Sequence, residues 1–139
     1  MKKLITILIL LVSISCTTTN TALIEEVPIV PKNVEIVITT NTPKFDEIVV
    51  SYKDFDIEEE WIYGPRQFNY DNNGNQEPII ISLPEYTYRK IVGNAYRNND
   101  LPYTLKAEVF INGELVLEKE MVGSEGVYAS INFDYTIEN

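Results

Sequence analysis

Histidine is absent from this chain, and cysteine occurs once, at Cys16. Without histidine there is no side chain that ordinarily titrates near neutrality, no Ser-His or Cys-His pair, and no supply of the commonest zinc ligand. A lone cysteine forbids an internal disulfide, so a hydrophobic core has to hold the fold. Basic residues are scarce: 11 Lys and Arg face 21 Asp and Glu, for a net charge of −10. Nucleic-acid phosphates demand Lys and Arg, so nucleic acid is excluded as a partner, and lying flat on an anionic bilayer is disfavoured for the same reason. No Gly-rich phosphate loop, Ser-nucleophile motif or Cys pair is present. These absences argue against an enzyme, and no motif implies a cofactor.

What is present begins with Lys2-Lys3 and an apolar run over residues 4–12, LITILILLV, broken only by Thr6. A spanning helix needs roughly 18 or more apolar residues, so this run is too short to cross a membrane. With Ser13-Ile14-Ser15-Cys16 after it, it reads as a secretory signal peptide over residues 1–15, cleaved between Ser15 and Cys16. Here the chain resembles the bacterial lipoproteins, whose signals end in a lipobox of an aliphatic residue, a second residue, a small residue and an invariant Cys. Ile14, Ser15 and Cys16 match the last three positions; Ser13 stands where Leu is usual. The resemblance implies lipidation of Cys16 as the mature amino terminus, and so membrane partnership through its acyl chains. Thr17 is not the Asp associated with inner-membrane retention, which implies the outer membrane of the cell envelope. Loss of Lys2 and Lys3 with the signal takes the net charge from −10 to −12.

Residues 16–33 read as the lipidated cysteine and a tether, polar at first and then punctuated by Pro28 and Pro31. As a coil, such a stretch reaches about 20 Å on average. Its apolar stretches at residues 23–24 and 27–30 read equally well as a first edge strand. Residues 34–139 read as one β-domain.

The domain is organised around residues 103–122, YTLKAEVFINGELVLEKEMV. Leu105, Ala107, Val109 and Ile111 alternate with Lys106, Glu108, Phe110 and Asn112, the period of a half-buried strand. Asn112-Gly113 tolerates positive φ and predicts a hairpin. Placing Val109 and Ile111 on one face with Leu115 and Leu117 requires an odd loop, so a three-residue loop with Gly113 in the left-handed region is expected. The opposite face carries Lys106, Glu108, Glu118 and Glu120.

Residues 34–40 and 47–52 are rich in β-branched side chains and read as a second hairpin. A short strand is expected at residues 61–63, stopped by Gly64-Pro65, with Phe68 and Tyr70 candidates to continue it. Asp71-Asn72-Asn73-Gly74-Asn75 is a turn. Residues 78–83 form a strand ended by Pro84. Residues 89–96 form another, with Gly93 a candidate bulge, and residues 127–137 the last. Seven or eight strands with frequent turns and no helix predict an all-β chain, an immunoglobulin-like antiparallel β-sandwich, with a small β-barrel as the alternative.

Over residues 91–137 the chain also resembles the small periplasmic accessory lipoproteins of the MmpS type. The resemblance is carried by Asn94-Ala95, the strand at 105–111, Asn112-Gly113, a charged return strand, the glycine turn at 123–126 and Tyr128-Ala129-Ser130. It implies a sandwich that assists a membrane transporter, and it brings no catalytic residues.

Two ligand readings stand beside that expectation of a non-catalytic envelope interaction or transport-accessory module with an envelope protein partner. Trp61, Tyr63 and Tyr70 are candidates for an aromatic glycan platform, although aromatics at period two also serve as core or cross-strand pairs. Asp54, Asp56 and Glu58 head an acidic run whose oxygens suit Ca²⁺, although no ligand spacing in it is diagnostic and a solvated acidic loop is the ordinary explanation. Residues 71–77 are not a calcium loop, because Gly74 falls at the fourth position and not the sixth.

Overall fold

A computed structural model describes residues 30–42, 47–55 and 61–138. The signal peptide, Cys16 and nearly all of the tether lie outside these residues. Eight strands make two four-stranded sheets, and among the described residues there is no helix and no closed barrel. They are β1 (Lys32–Thr40), β2 (Glu47–Lys53), β3 (Trp61–Gln67), β4 (Ile79–Tyr86), β5 (Lys90–Arg97), β6 (Thr104–Ile111), β7 (Glu114–Val122) and β8 (Ser130–Thr136). One sheet runs β4-β1-β6-β7 and the other β3-β2-β5-β8, with every pair antiparallel. This is a β-sandwich. The neighbours β4-β1 and β3-β2-β5-β8 follow the immunoglobulin orders E-B and C′-C-F-G, and the β6–β7 hairpin occupies the place of strand A.

Alternation explains the core. Val34, Ile36 and Ile38 of β1 and Leu105, Ala107 and Val109 of β6 point inward from one sheet. Ile48 and Val50 of β2, Ile91 and Ala95 of β5, and Ile131 and Phe133 of β8 answer from the other. Each sheet supplies one apolar face, and neither could bury it alone.

Four expectations need correction. First, β1 and β2 do not form a hairpin: they lie in opposite sheets and face each other across the core. Both carry an apolar inward row, and such rows can meet face to face as well as pair edge to edge. Second, the β6–β7 turn has two residues, Asn112 and Gly113, at φ 52° and 83°, with Ile111 opposite Glu114. The odd residue that the faces demand is accommodated as a bulge in β7, where the register shifts from Phe110↔Leu115 to Val109↔Leu117. Leu117 therefore reaches the core while Leu115 stays exposed.

Third, neither Pro65 nor Pro84 ends its strand. β3 and β4 are the edge strands of their sheets, where a residue lacking N–H is tolerated. At Pro84-Glu85 one extra residue enters β4 opposite β1, with Glu85 at φ 55°. Fourth, Gly93 is in regular register with Tyr52 and Phe133 rather than in a bulge. It is glycine because a Cβ there would lie 2.1 Å from the Phe133 ring.

One buried cation locks the end of the sandwich near β5 and β6. Arg97 is 0% exposed. Its Nη1 donates to the carbonyls of Leu101 (2.9 Å) and Tyr103 (3.0 Å), its Nη2 donates to Asn99 Oδ1 (2.9 Å), and its guanidinium lies 5.2 Å from the centre of the Tyr103 ring. The β5–β6 crossover is thus wrapped around a planar donor group whose fork suits several carbonyls at once.

Candidate functional site: the outer face of the second sheet

β3 alternates Trp61, Tyr63, Pro65 and Gln67 on its outward side, in register with Lys53, Ser51, Val49 and Glu47 of β2. β5 adds Val92, Asn94 and Tyr96, and β8 adds Ser130, Asn132 and Asp134. The result is one sheet face on which strands bring together residues from four separate parts of the chain.

Trp61 is 51% and Tyr63 66% exposed. Two residues apart on one strand, they stand about 7 Å from each other along it. Tyr63 and Tyr96 come from strands on either side of β2, and their hydroxyls meet at 3.3 Å above it. Beneath this pair lies Val49, outward-facing yet only 6% exposed. The hydrogen bond shared with Tyr63 holds the Tyr96 hydroxyl above the usual tyrosine range, with burial and the nearby Tyr63 and Glu47 adding in the same direction. These contacts give the aromatic rows a fixed floor.

Beside them runs a row of amides. The Asn94 side-chain NH₂ lies within reach of Asn132 Oδ1 (2.8 Å), the Ile131 carbonyl (3.1 Å) and Ser130 Oγ (3.3 Å). Asn94 is thereby pinned, and its own carbonyl oxygen and the Asn132 NH₂ have no partner among the described residues. Among the described residues, charge on the strands of this face balances: Glu47 accepts from Asn98 Nδ2 at 2.8 Å, Lys90 pairs with Asp134 at 3.1 Å, and Lys53 lies 5.0 Å from the Phe55 ring centre.

The opposite outer face is different. Glu108, Glu118 and Glu120 surround Lys106, which is opposite Glu120 and pairs with Glu108 and Glu118 at 2.9 Å each, and Glu35 lies further along β1 opposite Phe110. Those two carboxylates raise the Lys106 ammonium well above its usual range.

The sequence candidates therefore divide. Trp61 and Tyr63 share an exposed face. Tyr70 does not join them: it is half-buried against the core, where Gln76 Nε2 donates to its hydroxyl at 3.4 Å. Phe68 and Tyr86 are core residues, and Tyr88 packs beside Tyr86 and Phe55 at one end of the sandwich. Asp56 and Glu58 lie outside the described residues. Asp54 is described, and no group of three potential metal ligands occurs among the described residues.

Sequence reasoning missed Tyr96, Asn94 and Asn132. Period two within residues 89–96 and 127–137 already placed them on one side of their strands, but nothing local placed those strands beside Trp61. Among the described residues no helix is long and apolar enough to cross a membrane. Searches against family models, curated proteins and solved structures find nothing that matches this chain.

Proposed function

We propose that this chain is an exported, lipid-anchored, non-catalytic interaction module of the bacterial cell envelope. In this reading Cys16 carries the acyl chains, residues 17–31 tether the domain, and the outer face of β3-β2-β5-β8 makes the contact. The observation that carries it is the exposure of Trp61 and Tyr63 together on one sheet face. Large aromatics left in water beside fixed polar groups are the composition of a binding surface, not of an inert one. The acidic opposite face, around Glu108 and Glu118, maintains solubility.

Anchoring would raise the module's effective concentration at the membrane, so a weak face-to-face contact suffices for function. The finer reading, an accessory to a transport complex, rests on the resemblance of residues 91–137 to the MmpS-type lipoproteins. The calcium reading falls mainly on Asp56 and Glu58, outside the described residues, whereas the glycan reading gains from the position of Trp61 and Tyr63.

The test is cross-linking in intact cells, with a Cys16→Ala control and fractionation of the envelope. The expected result is a membrane-bound protein that labels with fatty acid at Cys16 and loses both membrane association and its cross-links in the control. A stable mature protein that stays in the soluble fraction would refute the anchor.

A further inference from the structure

We infer that the outer face of β3-β2-β5-β8 binds an uncharged glycan chain, an inference that rests on the interaction-module reading and specifies its ligand. Three observations on the same face converge. The first is stacking surface: Trp61 and Tyr63 project from one strand, and their exposed rings suit the apolar C–H faces of pyranose rings. The second is polar capacity of the right kind. Asn94 is held by Ser130, Ile131 and Asn132 in a way that commits its NH₂ and leaves its carbonyl oxygen available, while Asn132 keeps its NH₂. A donor and an acceptor side by side match a sugar hydroxyl, which is both. Being fixed already, they lose little freedom on binding.

The third observation is charge. The chain carries −10 overall, yet among the described residues the strands of this face carry Glu47 and Asp134 against Lys53 and Lys90, with Lys119 of β7 donating to the Asn132 carbonyl at its edge (2.7 Å). A face this near to neutral on an acidic chain is matched to a neutral partner. A cationic protein would be drawn instead to the carboxylates around Lys106, and an anionic polymer would find no surplus of positive charge on the strands of this face among the described residues. An open sheet face suits a chain that lies across it and not a small molecule, which needs enclosure on most sides.

The chain has a single tryptophan, and it is Trp61. Its fluorescence therefore reports from the site itself. Full-length protein in detergent micelles is titrated with cellohexaose, with N-acetylchitohexaose and with galactomannan, and polygalacturonate serves as the anionic comparator. At least one neutral glycan is expected to shift Trp61 emission to shorter wavelength and protect it from acrylamide quenching, with no response to polygalacturonate. Tyr63→Ala and Asn94→Ala are each expected to weaken binding by up to roughly tenfold, the factor that about 1.4 kcal/mol represents. Replacing Tyr63 also removes its hydroxyl contact with Tyr96 above Val49, so the unfolding midpoint of each variant is measured and binding is compared only at temperatures where the variant is folded.

No response to any of the three neutral glycans overturns the inference, as does binding that both substitutions leave intact. A photo-cross-linker at position 61 in cells separates the two levels of the argument. Cross-links to an envelope protein without glycan binding refute the glycan and keep the module; no cross-link and no glycan binding refute both.

Discussion

Replacing Arg97 by Met tests whether the closed end of the sandwich depends on a buried guanidinium. The substitution keeps an unbranched apolar stem and removes the donors to Leu101 O, Tyr103 O and Asn99 Oδ1. Hydrogen bonds from a charged donor contribute about 1.5–3 kcal/mol each. The full sum does not apply here. The Leu101 carbonyl also accepts from the Tyr103 amide at 2.8 Å, and the Tyr103 carbonyl from the Gly123 amide at 3.2 Å, so neither is orphaned. Removing a fully buried charge also relieves its desolvation penalty. The net loss expected for Arg97→Met is therefore about 2–3 kcal/mol. Arg97→Ala adds a cavity and should cost about 1–2 kcal/mol more. Arg97→Lys keeps the charge without the planar fork and should be no better than Met. Urea unfolding followed by circular dichroism measures this: with a slope of about 1–3 kcal/mol/M, the Met variant's midpoint should fall by roughly 0.7–3 M. A loss below about 0.5 kcal/mol, the level of an ordinary surface substitution, would refute the structural role assigned to Arg97.

Three further outcomes are expected. Gly93→Ala places a Cβ 2.1 Å from the Phe133 ring and 2.7 Å from the Ser51 carbonyl, and should destabilise by about 2–3 kcal/mol; in a Phe133→Ala background the loss should be smaller, which a double-mutant cycle measures. Gly113→Val forces a β-branched residue to φ 83° in the β6–β7 turn and should cost about 1–2 kcal/mol, read as a drop in the thermal midpoint. The Asp71 carboxylate accepts from the Asn75 side chain and from the backbone amides of Asn75 and Asn73, which lowers its pKa below 3.8. Because the folded value is the lower one, its contribution is present above pH 3.8 and is lost as pH falls through the folded value. The Asn73 and Asn75 amide resonances should shift together below pH 3.8, and a midpoint at or above that pH would contradict the geometry.

Much of this protein was legible before the structure. Leu105, Ala107 and Val109 alternate with Lys106 and Glu108, and they are buried and paired as that alternation requires. The parity argument across Asn112-Gly113 correctly demanded one extra residue, and it put Val109 opposite Leu117; the residue itself went into β7 rather than the turn. A tight two-residue turn matches the strand twist best, and a bulge relieves the mismatch further along. Trp61 and Tyr63 were legible as partners because residues two apart on a strand must share a face.

The sequence by itself determined which segments become strands, which side of each strand is apolar, and where the chain can reverse, since these depend on backbone sterics and on neighbours a few positions away. Only the tertiary structure decided which strands are neighbours. It placed β1 and β2 in opposite sheets, put Pro65 and Pro84 on edges where they are tolerated, and carried Asn94, Tyr96 and Asn132 to the face of Trp61. The physical reason is that alternation sets whether a side chain points inward or outward but leaves the partner strand undefined. The partner is selected by how all the apolar faces bury together, and that is a property of the assembled sandwich.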